Sequence, residues 1–451
     1  MINDDTIVAI ATASGVGAIS IVRLSGNDAL NIAYKISHQT ILNPRLATLS
    51  KVYDSKDELI DESLLIYFKN PQSFTGEDIV EFQCHGGIAI TNLILDTAIS
   101  YGARLASPGE FSKRAYLNGK IDMSQAYAIS KLIEARSEDA VKMLARQLKG
   151  ELSSFVNEIR KDLLFILAYV EVSIDYAEED LPSDIYAQIE QKLQNITLKL
   201  TNTLESSKRR EGMIEGFKVA IVGKPNVGKS SLLNKLLNFD RAIVSQIAGT
   251  TRDTIEENIK VGTHIIKIVD TAGIRDACDE IEQIGIQKSK EAINQADIVI
   301  ALFDNSRKFD SEDEKINELI LNSNKEIITI LNKSDLENNF DTTKVQNIDL
   351  SLTISKELSS SSINILMEKL ENILNKNTSS DDMTLVSKTQ VLSVNETLEN
   401  IKKASSILST GEFEFFAYHV KEALENISKI TRPYENDQML DVMFGEFCLG
   451  K

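Results

Sequence analysis

The chain has 451 residues, 42% of them hydrophobic, enough for about three domains of roughly 150 residues each with its own core. Its 67 acidic residues outnumber its 49 basic ones, for a formal net charge of -18; this excludes a broad nonspecific grip on nucleic acid and leaves any RNA to a local patch. Three cysteines, Cys84, Cys278 and Cys448, stand far apart without a Cys-x-x-Cys pair, which excludes a disulfide framework or a zinc site.

The amino end, Met1-Ile2-Asn3-Asp4-Asp5, is acidic where a transit peptide would be rich in Arg, and no run of 18 apolar residues follows. The expectation is a cytoplasmic protein with no membrane partner. Up to residue 118, short β-branched runs such as Ile7–Ile10, Ile19–Val22 and Ile79–Phe82 are broken by Gly, Pro and Asn, which predicts a small α+β domain over 1–118. Helical spacing then takes over. Leu144, Leu148, Leu152, Phe155, Ile159, Leu163, Ile166 and Val170 fall on one stripe, predicting a long helix that ends near Asp175 and needs a partner helix.

Between 211 and 377, strand-like runs at Val219–Val222, Ile265–Val269, Ile298–Phe303 and Ile327–Leu331 alternate with helical ones, the pattern of a parallel sheet covered on both faces. A polar linker at 377–382 precedes a return to helical spacing. The predicted fold class is therefore multidomain α/β: an N-terminal α+β domain (1–118) and a helical domain (119–210 and 378–451) interrupted by a P-loop domain (211–377).

Gly223-Lys224-Pro225-Asn226-Val227-Gly228-Lys229-Ser230 follows a predicted strand and opens a predicted helix, the context that a phosphate-binding loop requires. Its backbone from Asn226 through Val227 and Gly228 to Ser231 can cradle phosphates. Lys229 reaches the outer phosphates and Ser230 ligates Mg2+. Asp270-Thr271-Ala272-Gly273 ends the next strand, and Asn332-Lys333-Ser334-Asp335 ends a later one. The Asp335 carboxylate accepts from N1-H and the exocyclic amine of guanine, a donor pair that adenine lacks, so the nucleotide is GTP.

Thr251, within Gly249-Thr250-Thr251-Arg252-Asp253, supplies a hydroxyl for magnesium and the terminal phosphate, marking a first switch. Ser355-Lys356-Glu357 stands where a Ser-Ala-Lys turn against the base is expected. Ile274 follows Gly273, so the water-orienting Gln of Ras-like enzymes is absent and another group must position the water; Asp276, Asp279, Glu280 and Glu282 read either as candidates for that carboxylate or as a solvated switch loop.

With these elements in hand, the whole chain resembles the MnmE (TrmE) family of tRNA modification GTPases. Outside the nucleotide site the resemblance rests on Ile21–Gly26, Glu81-Phe82-Gln83-Cys84-His85-Gly86-Gly87, Pro108–Ala115, Leu117–Asp122, Ser173–Tyr176 and the terminal Phe447-Cys448-Leu449-Gly450-Lys451. It implies that the first domain binds a tetrahydrofolate derivative, methylene- or formyl-tetrahydrofolate, through Arg23, Glu81, Lys120 and Lys451. It also implies that two such domains form a homodimer. Asn226 and the segment Ser245-Gln246-Ile247-Ala248-Gly249-Thr250 match the family's potassium (K+) positions, with Ser245, Ile247 and Thr250 as ligands beside Asn226. Glu282 is the acid the resemblance selects for orienting water.

Cys448 lies in a family motif, with either a nucleophilic or a packing role. The function implied is a potassium-stimulated GTPase that works with the flavoprotein MnmG, as a heterotetramer, on the wobble uridine of certain tRNAs. The alternative, a ribosome-assembly GTPase resembling Era or Der, requires an added basic RNA-binding module or a second GTPase domain, and the sequence carries neither.

Overall fold

The structure is a computed structural model and describes residues 5–450 except 14, 136, 176–182, 240–256, 270–281, 346–347, 355–359, 377–382, 411, 433–439, 441–442, 446 and 448–449. The chain forms two compact units, one of residues 1–130, 146–194 and 392–451, the other of 131–145 and 195–391.

The first unit begins with a six-stranded sheet: β1 (Ile7–Ile10), β2 (Ile19–Ser25), β3 (Thr48–Tyr53), β4 (Leu59–Phe68), β5 (Ile79–His85) and β6 (Arg104–Leu105). Their spatial order is β3-β4-β5-β2-β1-β6, antiparallel except for the β1–β6 edge. Strand alternation sends Val8, Val22, Leu24, Val80 and Phe82 into a core with Ile32, Ala33 and Ile36 of helix α1 (Ala29–Ser37) and Ile94 and Ala98 of α2 (Ile88–Ser100). The alternate residues, including Ile7, Ala9, Arg23 and Glu81, occupy the opposite face, where Phe111 of α3 (Glu110–Leu117) packs on Ile7 and Ala9.

Helices α4 (Met123–Glu134), α5 (Glu138–Leu148) and α6 (Glu151–Asp175) follow. The single long helix predicted from Leu144 to Val170 is instead two. Gly150 takes a left-handed φ of +86° and donates its N–H to the Gln147 carbonyl, a helix-ending turn that costs glycine little. Beyond the break the stripe holds: Leu152, Ile159, Leu163, Ile166 and Val170 are buried. Its partner helix is α13 (Phe413–Ser428), through Phe416, Val420 and Ile427, with Lys421 paired to Glu171 at 2.9 Å. Helix α7 (Ser183–Glu215) leads to the inserted domain, and α12 (Lys388–Ile407) returns from it.

The insert is a second six-stranded sheet of β7 (Phe217–Val222), β8 (Glu257–Val261), β9 (His264–Val269), β10 (Ile298–Asp304), β11 (Glu326–Asn332) and β12 (Ile348–Ile354), ordered β12-β11-β10-β7-β9-β8. All neighbours are parallel except β8–β9. Buried on both faces, β10 reads as an unbroken apolar run to Phe303. One face packs on α8 (Lys229–Phe239) and α11 (Ser360–Lys376), the other on α9 (Glu282–Gln295) and α10 (Ser311–Leu321). The molecule is thus an α+β domain and a helical domain interrupted by a P-loop GTPase-like α/β domain. Among the described residues, no helix is long and apolar enough to cross a membrane.

Candidate nucleotide and folate sites

The nucleotide loops arise at the carboxyl ends of three adjacent parallel strands, β7, β10 and β11, where an open α/β sheet places its ligand crevice. After β7 the chain turns at Gly223, whose φ of +153° and position 2.5 Å (as a built Cβ) from the Leu302 carbonyl leave no room for a side chain. Asn226 and Gly228 also have positive φ, 63° and 107°. Helix α8 starts at Lys229, aiming its amino-terminal N–H groups at the loop.

The Lys229 ammonium lies inside this loop, donating to the carbonyls of Gly223 (2.7 Å) and Lys224 (2.8 Å). Burial pushes its pKa down, an environment in which an anionic phosphate would relieve a desolvated cation. Ser230 and Ser231 are exposed at the helix start. The donor set therefore fits a polyphosphate with Mg2+ beside Ser230.

Asn332 ends β11, buried, and its amide donates to the Val227 carbonyl at 2.6 Å. This bond ties the base-reading loop to the phosphate loop, and it fits because Gly228 has no side chain: a Cβ there would stand 2.0 Å from Asn332 Nδ2. Lys333 follows with φ +63°, and Asp335 is exposed.

Two further contacts involve residues to which the motif pattern gives no role. The Lys224 ammonium is buried between Asp310 (2.7 Å) and Asp313 (2.8 Å), and that of Lys333 bonds Asp304 at 2.6 Å. The available sequence signal was an Asp at each end of the 304–310 loop, with Asp310-Ser311-Glu312-Asp313 forming a helix capping box.

Ser245 to Thr251, Asp270 to Gly273, Asp276, Asp279, Glu280, Ser355, Lys356, Cys448 and Lys451 lie outside the described residues. Glu282 is the first residue of α9, and its side chain is likewise outside them.

In the first unit, Arg23 and Glu81 lie directly opposite each other on β2 and β5. Arg23 Nε and Nη2 both reach Glu81 Oε1 at 2.8 Å, and the guanidinium sits 5.7 Å from the Phe111 ring centre. Lys120 makes a different bond, to the Pro71 carbonyl at 2.7 Å, its stem crossing Gly76. The carboxyl end of the chain packs into the same unit. Phe444 and Phe447 join Met123 and Ala126 in a small core, the Phe444 carbonyl abuts Gly109, and Gly450 (φ +88°) abuts the Ile10 carbonyl. Ile10 adjoins Ala9, and Ala9 is the strand partner of Arg23. A carboxylate set beside an arginine and an aromatic ring fits the amide-like edge of a pterin.

Cys84 points to the opposite, helix-covered face. It is buried, its thiol bonds the Ser20 carbonyl, and burial pushes its pKa up to about 11.

A phosphate loop and a guanine-reading loop joined by Asn332, within a helical domain that follows an α+β domain, define a multidomain P-loop GTPase. The family described as "GTP-binding protein TrmE N-terminus" matches residues 6–120, and that described as "MnmE helical domain" matches residues 123–448. The tRNA modification GTPase MnmE of Aliarcobacter butzleri is 69% identical over the whole of both chains, and that of Sulfurimonas denitrificans 57% identical, again over the whole of both. A solved structure of Aquifex aeolicus Era is 25% identical over 42% of this chain and 66% of its own, with a TM-score of 0.25. The chain belongs to the MnmE family of tRNA modification GTPases, and it is a GTP hydrolase.

Proposed function

We propose that the protein is a homodimeric, potassium-stimulated GTPase that acts with the flavoprotein MnmG, in a heterotetramer, on the wobble uridine of certain tRNAs. It installs an aminomethyl or carboxymethylaminomethyl group at carbon five. A methylene- or formyl-tetrahydrofolate supplies the one-carbon unit.

The observation that carries this reading is the contact of Gly450 with the first sheet. Gly450 packs on Ile10, one residue along β1 from the partner of Arg23, so a residue 427 positions away in sequence lies near the Arg23–Glu81 pair. In this reading Glu81 recognises the pterin edge. Arg23 holds that carboxylate in place, and Lys120 and Lys451 take the glutamate-tail carboxylates. At the nucleotide site Lys229 and Ser230 hold the phosphates and Mg2+, and Asp335 selects guanine. Asn226 joins Ser245, Ile247 and Thr250 around potassium, while Glu282 orients the attacking water.

A calorimetric titration of the full chain with formyl-tetrahydrofolate tests the reading. Saturable binding that Glu81→Gln weakens at least about tenfold supports it, since a charged hydrogen bond contributes about that much. No binding would remove the folate assignment. GTP hydrolysis that ran equally fast in sodium and in potassium would remove the potassium assignment.

A further inference from the structure

We infer that the loop joining β10 to α10 positions both nucleotide-binding loops: Asp310 and Asp313 set the phosphate loop through Lys224, and Asp304 sets the base-reading loop through Lys333.

Each end of the bracket rests on a buried carboxylate, Asp313 at one and Asp304 at the other, while Asp310 and Lys333 are partly exposed. Lys224 has a side chain only 8% exposed, and Asp313, 3% exposed, lies beneath it. Asp310 completes the grip while its other oxygen accepts the N–H groups of Glu312 and Asp313, so the clamp is anchored to the first turn of α10. Burial alone would lower the Lys224 pKa, but the two carboxylates outweigh it and hold the ammonium charged. The same residue's carbonyl is one of the two acceptors that hold Lys229. Moving Lys224 therefore moves the seat of the phosphate-binding lysine.

At the other end, the buried Asp304 carboxylate accepts from Lys333 and, on its second oxygen, from both the N–H and the hydroxyl of Ser306. Backbone bonds make the junction double: Asn305 N–H donates to the Asn332 carbonyl, and Asn339 N–H to that of Asn305. Lys333 is held at a positive φ, a strained state for a side-chain-bearing residue, and the ion pair to Asp304 is the contact that fixes its head. Asp335, the guanine reader, is two residues further on. A shift of Lys333 would therefore misplace its carboxylate.

Neither Asp304 nor the Asp310–Asp313 pair need touch the nucleotide. They are positioning residues, and their effects separate by which end of the nucleotide each governs. The test uses the full chain with Lys224→Met, Lys224→Arg and Asp304→Asn. Equilibrium affinities for GTP and ITP are measured by displacement of a fluorescent GDP; ITP lacks the exocyclic amine, so the GTP/ITP ratio reports the alignment of Asp335.

Lys224→Met is expected to weaken both nucleotides by about tenfold at an unchanged ratio, and Lys224→Arg, which keeps the charge between the two acids, to restore affinity to within about twofold. Asp304→Asn is expected to lower the GTP/ITP ratio by about fivefold. A variant that merely damages the fold weakens both nucleotides alike and is not rescued by arginine. The inference is overturned if Lys224→Arg fails as badly as Lys224→Met, or if Asp304→Asn leaves the GTP/ITP ratio unchanged.

Discussion

The two sheets build their sites in opposite ways. In the inserted domain the functional groups come from loops that leave adjacent parallel strands at one edge, so each site residue belongs to a short contiguous motif, and Asn332 stitches two motifs together through one 2.6 Å bond. In the first unit the pair proposed to meet folate lies inside strands. Arg23 and Glu81 are 58 residues apart and meet only because β2 and β5 are neighbours in that register. The first design concentrates chemistry where backbone is free to turn toward phosphate. The second places the proposed contacts on a sheet face whose other side is committed to the core, with Gly450 packed against the same sheet at Ile10.

Changes at the nucleotide edge should have the larger consequences. Lys229→Ala is expected to lower the GTP hydrolysis rate by at least about a hundredfold, read by phosphate release, because the cation that faces developing phosphate charge is removed. Gly228→Ala comes next. Its Cβ would overlap Asn332 Nδ2 at a φ of +107°, a strain of about 1–3 kcal/mol. That corresponds to roughly five- to 150-fold weaker GDP binding by fluorescence titration.

In the first unit, Gly450→Ala would set a Cβ 2.3 Å from the Ile10 carbonyl at a φ of +88°, displacing the carboxyl end. The comparison predicts about tenfold weaker formyl-tetrahydrofolate binding with GDP affinity unaltered. Equal loss at both sites would break the distinction between the regions.

The smallest effect concerns acid. Glu110 is half-buried; burial would raise its pKa, but hydrogen bonds from Arg104, the Ser107 N–H and Arg114 outweigh it and hold the carboxyl below its ordinary value. Asp5 is likewise lowered, first by Arg104, against a smaller opposing effect of burial. A depressed folded pKa contributes stability that is present above the unfolded value and lost as pH falls through the folded one. The melting temperature should therefore stay level until pH enters the ordinary carboxylate range and decline below it, with a shallower decline in Glu110→Gln.

Much of the nucleotide site was legible because its motifs are local: a strand, a glycine turn and a helix start within a dozen residues carry their own geometry. The Arg23–Glu81 contact was not legible from spacing, since strand neighbours are set by topology; only the family resemblance pointed to both residues. The 144–170 stripe was correct in its face and wrong in its continuity, because periodicity weighs apolar positions and does not register one glycine in a left-handed turn. The acidic bracket at 304–313 escaped for a related reason. Lys224 and Asp313 stand 89 residues apart, and an Asp before a helix reads as a cap whether or not it also grips a lysine.

If the nucleotide site serves modification of tRNA, its loss must show in the tRNA itself. The most direct measurement is mass spectrometry of tRNA nucleosides from a strain lacking this gene, complemented with the wild type or with Lys229→Ala. The carbon-five group of the wobble uridine is expected to disappear on deletion and to return with the wild type alone. An unchanged nucleoside profile on deletion, or full restoration by Lys229→Ala, would contradict that role.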